Sequence, residues 1–285
     1  MKCPLSACSW LLRALVLASS VVAPLGSAQA DEAKVKLLIL TGSHRHDWKG
    51  TLPILKDFLS KTGRIDVQET LDPAKDLTKE NLAKYDVFLL HFHETDEKPG
   101  RWPAEAEKAL LDAVEGGKGL VALHYASAAF DQGKANWPEY EKLIGGGWRR
   151  SKGHGAHAPI YQFQVDMKDP EHPITKGFPA SFLHTPDELY HKLMMVDGNH
   201  ILCEAHDNHE KGTGKKEPLV WVRTHGKGRV YHNALGHGPA QMEKGIGFQA
   251  LLARGIEWAA TGKVTIPVPA RIDSPPAGEK KAAKA

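Results

Sequence analysis

Histidine recurs in this chain where apolar, strand-like runs end, and that placement is its chemical signal. His44 and His46 follow Val35 to Thr41, His91 and His93 close Asp86 to Phe92, and His124 closes Gly119 to His124. The run Gly228 to Ala234 leads into Leu235-Gly236-His237-Gly238, whose glycines let backbone and imidazole approach a ligand closely. Two chemistries suit such a cluster. Imidazoles titrate near neutrality and act as general acid or base on hydroxyl or carbon-bound protons. Neutral imidazoles with a carboxylate also hold a divalent metal, zinc or similar, that polarises a carbonyl.

Glu188, between His184 and His191 in a polar stretch, is the candidate carboxylate. His124 and His237 are expected to exchange protons, with Glu188 orienting one of them, and His44, His124 and His237 form the candidate metal set. Trp148, after Gly145-Gly146-Gly147, offers a flat apolar wall to a sugar ring. Arg149 and Arg150 behind it suit an anionic or polyhydroxyl ligand. His44, His154 and Gly146 join the expected ligand contacts, with His46, His91, His93 and His157 in second rank. His172, His200, His206 and His209 read as turn or loop residues. Any one imidazole is explained by a hydrogen bond to a backbone carbonyl; convergence at several strand ends is what argues for a site. There is no HExxH, CxxC, P-loop or GxGxxG spacing. Ser43 and Ser127 do not sit in a GxSxG turn.

These side chains need a frame. Val35 to Thr41 is continuously apolar, as in a strand buried on both faces. Helical spacing of Leu52, Leu55, Phe58 and Leu59 follows, then a strand at Ile65 to Thr70 and a short helix at Thr78 to Lys84. The strand at Asp86 to Phe92, a helix at Pro103 to Glu115 and the strand at Gly119 to His124 continue the alternation. The pattern predicts a flavodoxin-like, doubly wound α/β fold with ligands bound beyond the carboxyl ends of its parallel strands. Four runs follow with few helices between them: Tyr161 to Asp166, Ile201 to Glu204, Leu219 to Thr224 and Arg229 to Asn233. They predict added, partly antiparallel strands, and Gly245 to Ala260 a final helix.

Residues 1–30 read as an export signal. Lys2 and Arg13 flank its start, Trp10 to Ala23 is almost wholly apolar, and Ala28-Gln29-Ala30 is a small-residue cleavage site. The expectation is a periplasmic or secreted protein without stable membrane insertion. It would comprise a domain over 31–265 and a disordered tail over 266–285. Cys203 is then the only thiol left of three, which excludes an intramolecular disulfide. The net charge of +3 includes Lys2, Arg13 and three lysines of the tail, so the folded body has no basic stripe and no nucleic-acid partner is expected.

Several segments together resemble the trehalose-utilisation (ThuA-like) family over roughly residues 36–260. They are Thr41-Gly42 with His44, Gly119 to His124 with Ala126, Gly145-Gly146 before Trp148, His154-Gly155, His172-Pro173-Ile174, Asp187-Glu188-Leu189-Tyr190, and Gly226-Lys227-Gly228-Arg229-Val230 leading to Gly236-His237-Gly238. The resemblance implies a sheet related to glutamine amidotransferases and a role in carbohydrate metabolism, with oxidised (keto) disaccharides as one setting. The amidotransferase relatives carry a nucleophilic cysteine at a turn that His124 takes here, so no amide hydrolysis is expected. The leading expectation is an enzyme acting on a sugar or keto-disaccharide as an isomerase, lyase or hydratase. A sugar- or metal-binding module without turnover and a metal-dependent hydrolase are the alternatives.

Overall fold

The computed structural model describes residues 33–95 and 100–272. The first strand, β1 (Val35–Leu40), is apolar at nearly every position because it lies between two parallel neighbours, β2 (Ile65–Thr70) and β3 (Val87–Leu90). Next to β3 runs β4 (Gly119–Leu123), also parallel and fully buried. Alternation along these strands sends residues to opposite faces. Leu37, Ile39, Val121 and Leu123 join one core, and Leu38, Leu40, Leu120 and Ala122 join the other.

Helices cover both faces. The first core receives Leu55 and Leu59 of α1 (Trp48–Lys61). The second receives Leu82 of α3 (Lys79–Leu82), which follows α2 (Pro73–Asp76), and Leu110 and Val114 of α4 (Ala104–Glu115). It also takes Tyr140, Leu143 and Ile144 of α5 (Pro138–Ile144), a helix the sequence reading passed over although Pro138 at its first turn and left-handed Gly145 at its end mark it.

The second half builds β5 (Gly146–Gly147), β6 (Ala156–His157), β7 (Gln164–Met167), β8 (Ser181–Leu183), β9 (Tyr190–His191), β10 (Met194–Met195), β11 (His200–His206), β12 (Lys216–His225) and β13 (Gly228–Asn233). The main sheet has the order β2-β1-β3-β4-β13-β12-β11-β7-β8. Its first five strands are parallel in flavodoxin-like order, and the last four are added antiparallel, as the sequence predicts. The strand expected from Tyr161 begins only at Gln164. Tyr161 instead exchanges backbone hydrogen bonds with Asp187, which draws the Asp187–Glu188 segment toward the strand ends.

After α6 (Pro239–Lys244), the closing helix α7 (Ile246–Thr261) packs on the first core, and the chain stays packed beyond residue 265. Ile266 is buried and donates its N–H to Glu257. Glu257, buried on α7, also accepts from Arg64 and from both the N–H and hydroxyl of Thr265. Burial alone would raise its carboxyl, but these donors outweigh it and hold the group below its ordinary value. The stabilisation is therefore complete above the ordinary glutamate value of about 4.3 and is lost as pH falls through the lower folded-state value. Glu257→Gln is expected to reduce unfolding free energy by roughly 1–3 kcal/mol at neutral pH. In urea titrations across the acid range the gap to the parent should close as pH falls; a gap constant with pH would refute the assignment. The proposed signal segment (1–30) and residues 273–285 of the expected tail lie outside the described residues.

Candidate functional site

β4 delivers His124 at its carboxyl end in a left-handed conformation, φ +49°, which starts a short 3-10 turn to Ala128. A residue with a side chain adopts that backbone at a cost and needs its surroundings to hold it. His124 Nδ1 lies 2.7 Å from the carbonyl oxygen of Ala234, beyond β13, and must be the donor because a carbonyl only accepts. The neutral ring then carries its lone pair on Nε2, which accepts from the Tyr190 hydroxyl at 2.8 Å.

The loop after β1 supplies His46. Its ring stacks on Tyr125 with centroids 4.7 Å apart and lies 4.4 Å from the ring of His237. Burial, followed by the neighbouring His124 and His237, lowers its imidazole to about 3, so the ring is neutral. Its Nδ1 is buried without a hydrogen-bond partner.

Glu188 and His237 are 49 positions apart in the sequence and are aligned by one buried carboxylate. Asp187 accepts the backbone N–H groups of Glu188, Gly236 and His237 at 2.8, 2.8 and 3.2 Å, and its Oδ2 lies 3.0 Å from His184 Nε2. Glu188 Oε2 consequently sits 3.0 Å from His237 Nδ1 and 3.6 Å from His124 Nε2, while Oε1 lies 3.4 Å from His157 Nε2. Burial opposes ionisation of Glu188, but the imidazoles of His124 and His237 prevail and hold its carboxyl well below the usual range. Glu188 in turn raises His237 above its ordinary value. Despite the short separation, His237 Nδ1 makes no aligned hydrogen bond.

One donor atom from each of His46, His124, Glu188 and His237 falls within 4.8 Å of all the others. Three imidazoles and a carboxylate form a donor set compatible with zinc or a similar divalent ion. The unpartnered His46 nitrogen fits that use, as does the backbone carbonyl fixing the His124 tautomer. Against it stands the Tyr190 hydroxyl, which occupies the His124 lone pair and would have to turn away.

A cleft of about 280 Å³ opens beside Glu188 and His46, bounded by His157 and Tyr190. It shares Arg45, Tyr125, Trp148 and Arg150 with a second lobe of about 420 Å³.

The profile of the ThuA family, described as trehalose utilisation, matches residues 36–259. The chain belongs to this family. A ThuA-like protein from Parabacteroides merdae is 31% identical in its solved structure, with TM-score 0.74 over 85% of this chain and 95% of that one. A ThuA-like protein from Bacteroides uniformis is 21% identical, with TM-score 0.62 over 84% and 98%. A cytoplasmic protein from Salmonella typhimurium, 15% identical, shares the fold with TM-score 0.57 over 79% and 99%. No curated protein matches the chain. This ThuA-family chain thus combines a carbohydrate-metabolism family fold with a His/Glu cluster able to coordinate a metal.

The expectation of an exported, periplasmic or secreted protein is withdrawn: two of the similar structures are of Salmonella typhimurium proteins named as cytoplasmic. Among the described residues no helix is long and apolar enough to cross a membrane.

Within the ThuA fold, His124, His237 and Glu188 converge as the sequence reading grouped them, but the third imidazole beside them is His46. His44 lies behind it: its Nδ1 accepts the His46 N–H, and its ring faces His91 at 5.2 Å. His91 is a satisfied core histidine between the hydroxyls of Thr41 and Thr51, lowered by burial to about 4. His93 stacks on Tyr125 and borders the second lobe. Trp148 lies on the cleft wall. His154 turns to the Lys192 carbonyl at 3.3 Å, and His157, three residues on, takes the place at Glu188. Gly146 does not border the cleft; it pairs with Met195, and a Cβ there would meet the Met194 carbonyl oxygen at 2.1 Å. Gly236 has φ +95° and lies against Phe248, so its freedom serves packing rather than ligand approach. Cys203 is fully buried and its thiol is pushed up by burial, so it offers no thiolate.

Asp187, Tyr190, Tyr125 and Arg45 were missed. Asp187 and Tyr190 flank Glu188 in a motif already singled out, and the i, i+2 spacing of Glu188 and Tyr190 suits one face of an extended segment. Tyr125 and Arg45 each adjoin a chosen histidine but carried no signal of their own.

Proposed function

We propose that this protein is an enzyme acting on a sugar or keto-disaccharide, with His46, His124, Glu188 and His237 holding a divalent metal. The observation that carries the reading is this convergent donor set at the floor of a cleft walled by Trp148 and Tyr125. A bound divalent ion supplies Lewis-acid polarisation of a sugar carbonyl, which acidifies the neighbouring carbon–hydrogen bond. Trp148 offers an apolar wall to a pyranose ring, while the Tyr125 ring is stacked by His46 and His93 and borders the cleft by its edge. His157, about one-third exposed and 3.4 Å from Glu188, is placed to receive and return a substrate proton. Tyr190 donates its hydroxyl to His124 in the metal-free site and would release that nitrogen to the ion. This favours isomerase, lyase or hydratase chemistry in carbohydrate metabolism.

A metal-free reading has its own support: the Glu188–His237 pair and the Tyr190–His124 hydrogen bond form a proton network without an ion. Elemental mass spectrometry of the purified protein beside His124→Ala separates the two. Near-stoichiometric metal in the parent, lost in the variant, is expected. A folded parent that binds no divalent ion when offered zinc or manganese would overturn the metal-assisted reading. Ligand binding without product on long incubation would instead make the chain a binding module, and net hydrolysis a metal-dependent hydrolase.

A further inference from the structure

The second lobe carries charges that the histidine cluster does not use. Arg45 and Arg150 border both lobes, and Lys134 lines the far one. Among the described residues, none of these three side chains makes an ion pair or hydrogen bond. The acids of the same wall are already engaged. Asp131 accepts the N–H and the hydroxyl of Ser151 at 2.8 and 2.7 Å, and the buried guanidinium of Arg149 stands 4.0 Å from it. Glu94 accepts the Phe130 N–H at 2.9 Å. Arg149 is 1% exposed, donates to the Ala129 carbonyl, and keeps Nε and Nη2 without partners, which adds positive charge behind the wall. The sequence reading placed Arg149 and Arg150 together; the fold separates them into a buried charge and a cleft charge.

Unpaired cations lining a concave site focus its field on an anion. Guanidinium groups also match carboxylate and phosphate oxygens in geometry. We propose that the cleft takes a sugar bearing an anionic group, a carboxylate or a phosphate ester, held between Arg45 and Arg150 while its ring lies along the Trp148 wall. This rests on reading the histidine cluster as the reacting end and specifies the class of its substrate.

Isothermal titration of the full chain with glucose, glucuronate and glucose 6-phosphate tests it. At low ionic strength at least one anionic probe should bind about tenfold more tightly than glucose or better, an advantage that shrinks with added salt. Which anion is preferred distinguishes carboxylate from phosphate. In Arg45→Gln/Arg150→Gln, two exposed positions, the advantage of the anion over glucose should fall to about twofold or less. Three results would overturn the proposal: glucose binding as tightly as either anion, neither anion binding, or an anion preference that survives in the double variant. The last outcome assigns the preference to an ion at the histidine cluster. Metal content measured on the same samples keeps the two readings apart. Metal retained without anion preference removes only the anionic substrate, and anion preference without metal removes only the metal-assisted chemistry.

Discussion

Glu188→Ala is expected to weaken zinc binding, followed by competition with a chelator, by at least about 100-fold and to reduce turnover of a keto-disaccharide by a similar factor. Glu188 supplies the only carboxylate of the four candidate donors, and its two oxygens face three imidazoles, those of His237, His124 and His157. Without it, three candidate ligand rings face one another with no carboxylate among the donors, and His46 is already driven to its neutral form. Glu188→Gln keeps the side chain's shape and removes only the charge, so it should fall close to the alanine variant. Near-stoichiometric metal together with turnover within about twofold of the parent, in a variant whose circular dichroism is unchanged, would remove Glu188 from the site.

Asp187→Ala is expected to cause the largest loss of stability, roughly 3–5 kcal/mol in urea unfolding. The carboxylate is fully buried, and its loss strands three backbone N–H groups and the ring of His184, which is itself 0% exposed in its side chain. Those N–H groups belong to Glu188, Gly236 and His237, so the same substitution releases two elements that carry site residues. Asp187→Asn retains one acceptor and should fold. It separates positioning from bulk stability, because a positioning role predicts a folded protein whose zinc affinity drops about 10- to 100-fold. A folded Asn variant with parental metal affinity, or an Ala variant losing less than about 1 kcal/mol, would contradict this account.

Much of the frame was legible because its strands are buried on both faces. Runs such as Val35–Leu40 and Gly119–Leu123 cannot be mistaken for exposed segments, and their ends carry His124 and the His44–His46 loop. The antiparallel half was legible in kind but not in its boundaries. Tyr161 fits a strand by its residue type, yet its backbone bonds go to Asp187, twenty-six positions on, a pairing that no local pattern encodes. Choosing between His44 and His46, or His154 and His157, lay equally beyond local reading, because tertiary pairing, such as that of β6 with β9, decides which ring enters the cleft.

By itself the sequence determined a doubly wound sheet, the delivery of histidines to its carboxyl edge, membership of a carbohydrate-linked family, and the absence of an accessible nucleophilic cysteine at the turn after β4. Only the tertiary structure decided that Glu188 lies among those histidines, that Asp187 aligns two distant loops, and that Arg150 faces the cleft while Arg149 is buried. The division has a physical cause. Burial and periodicity act over neighbouring residues and leave a readable pattern, whereas a site assembled by hydrogen bonds across 49 and 50 positions depends on loop conformations that form only when the core brings them together.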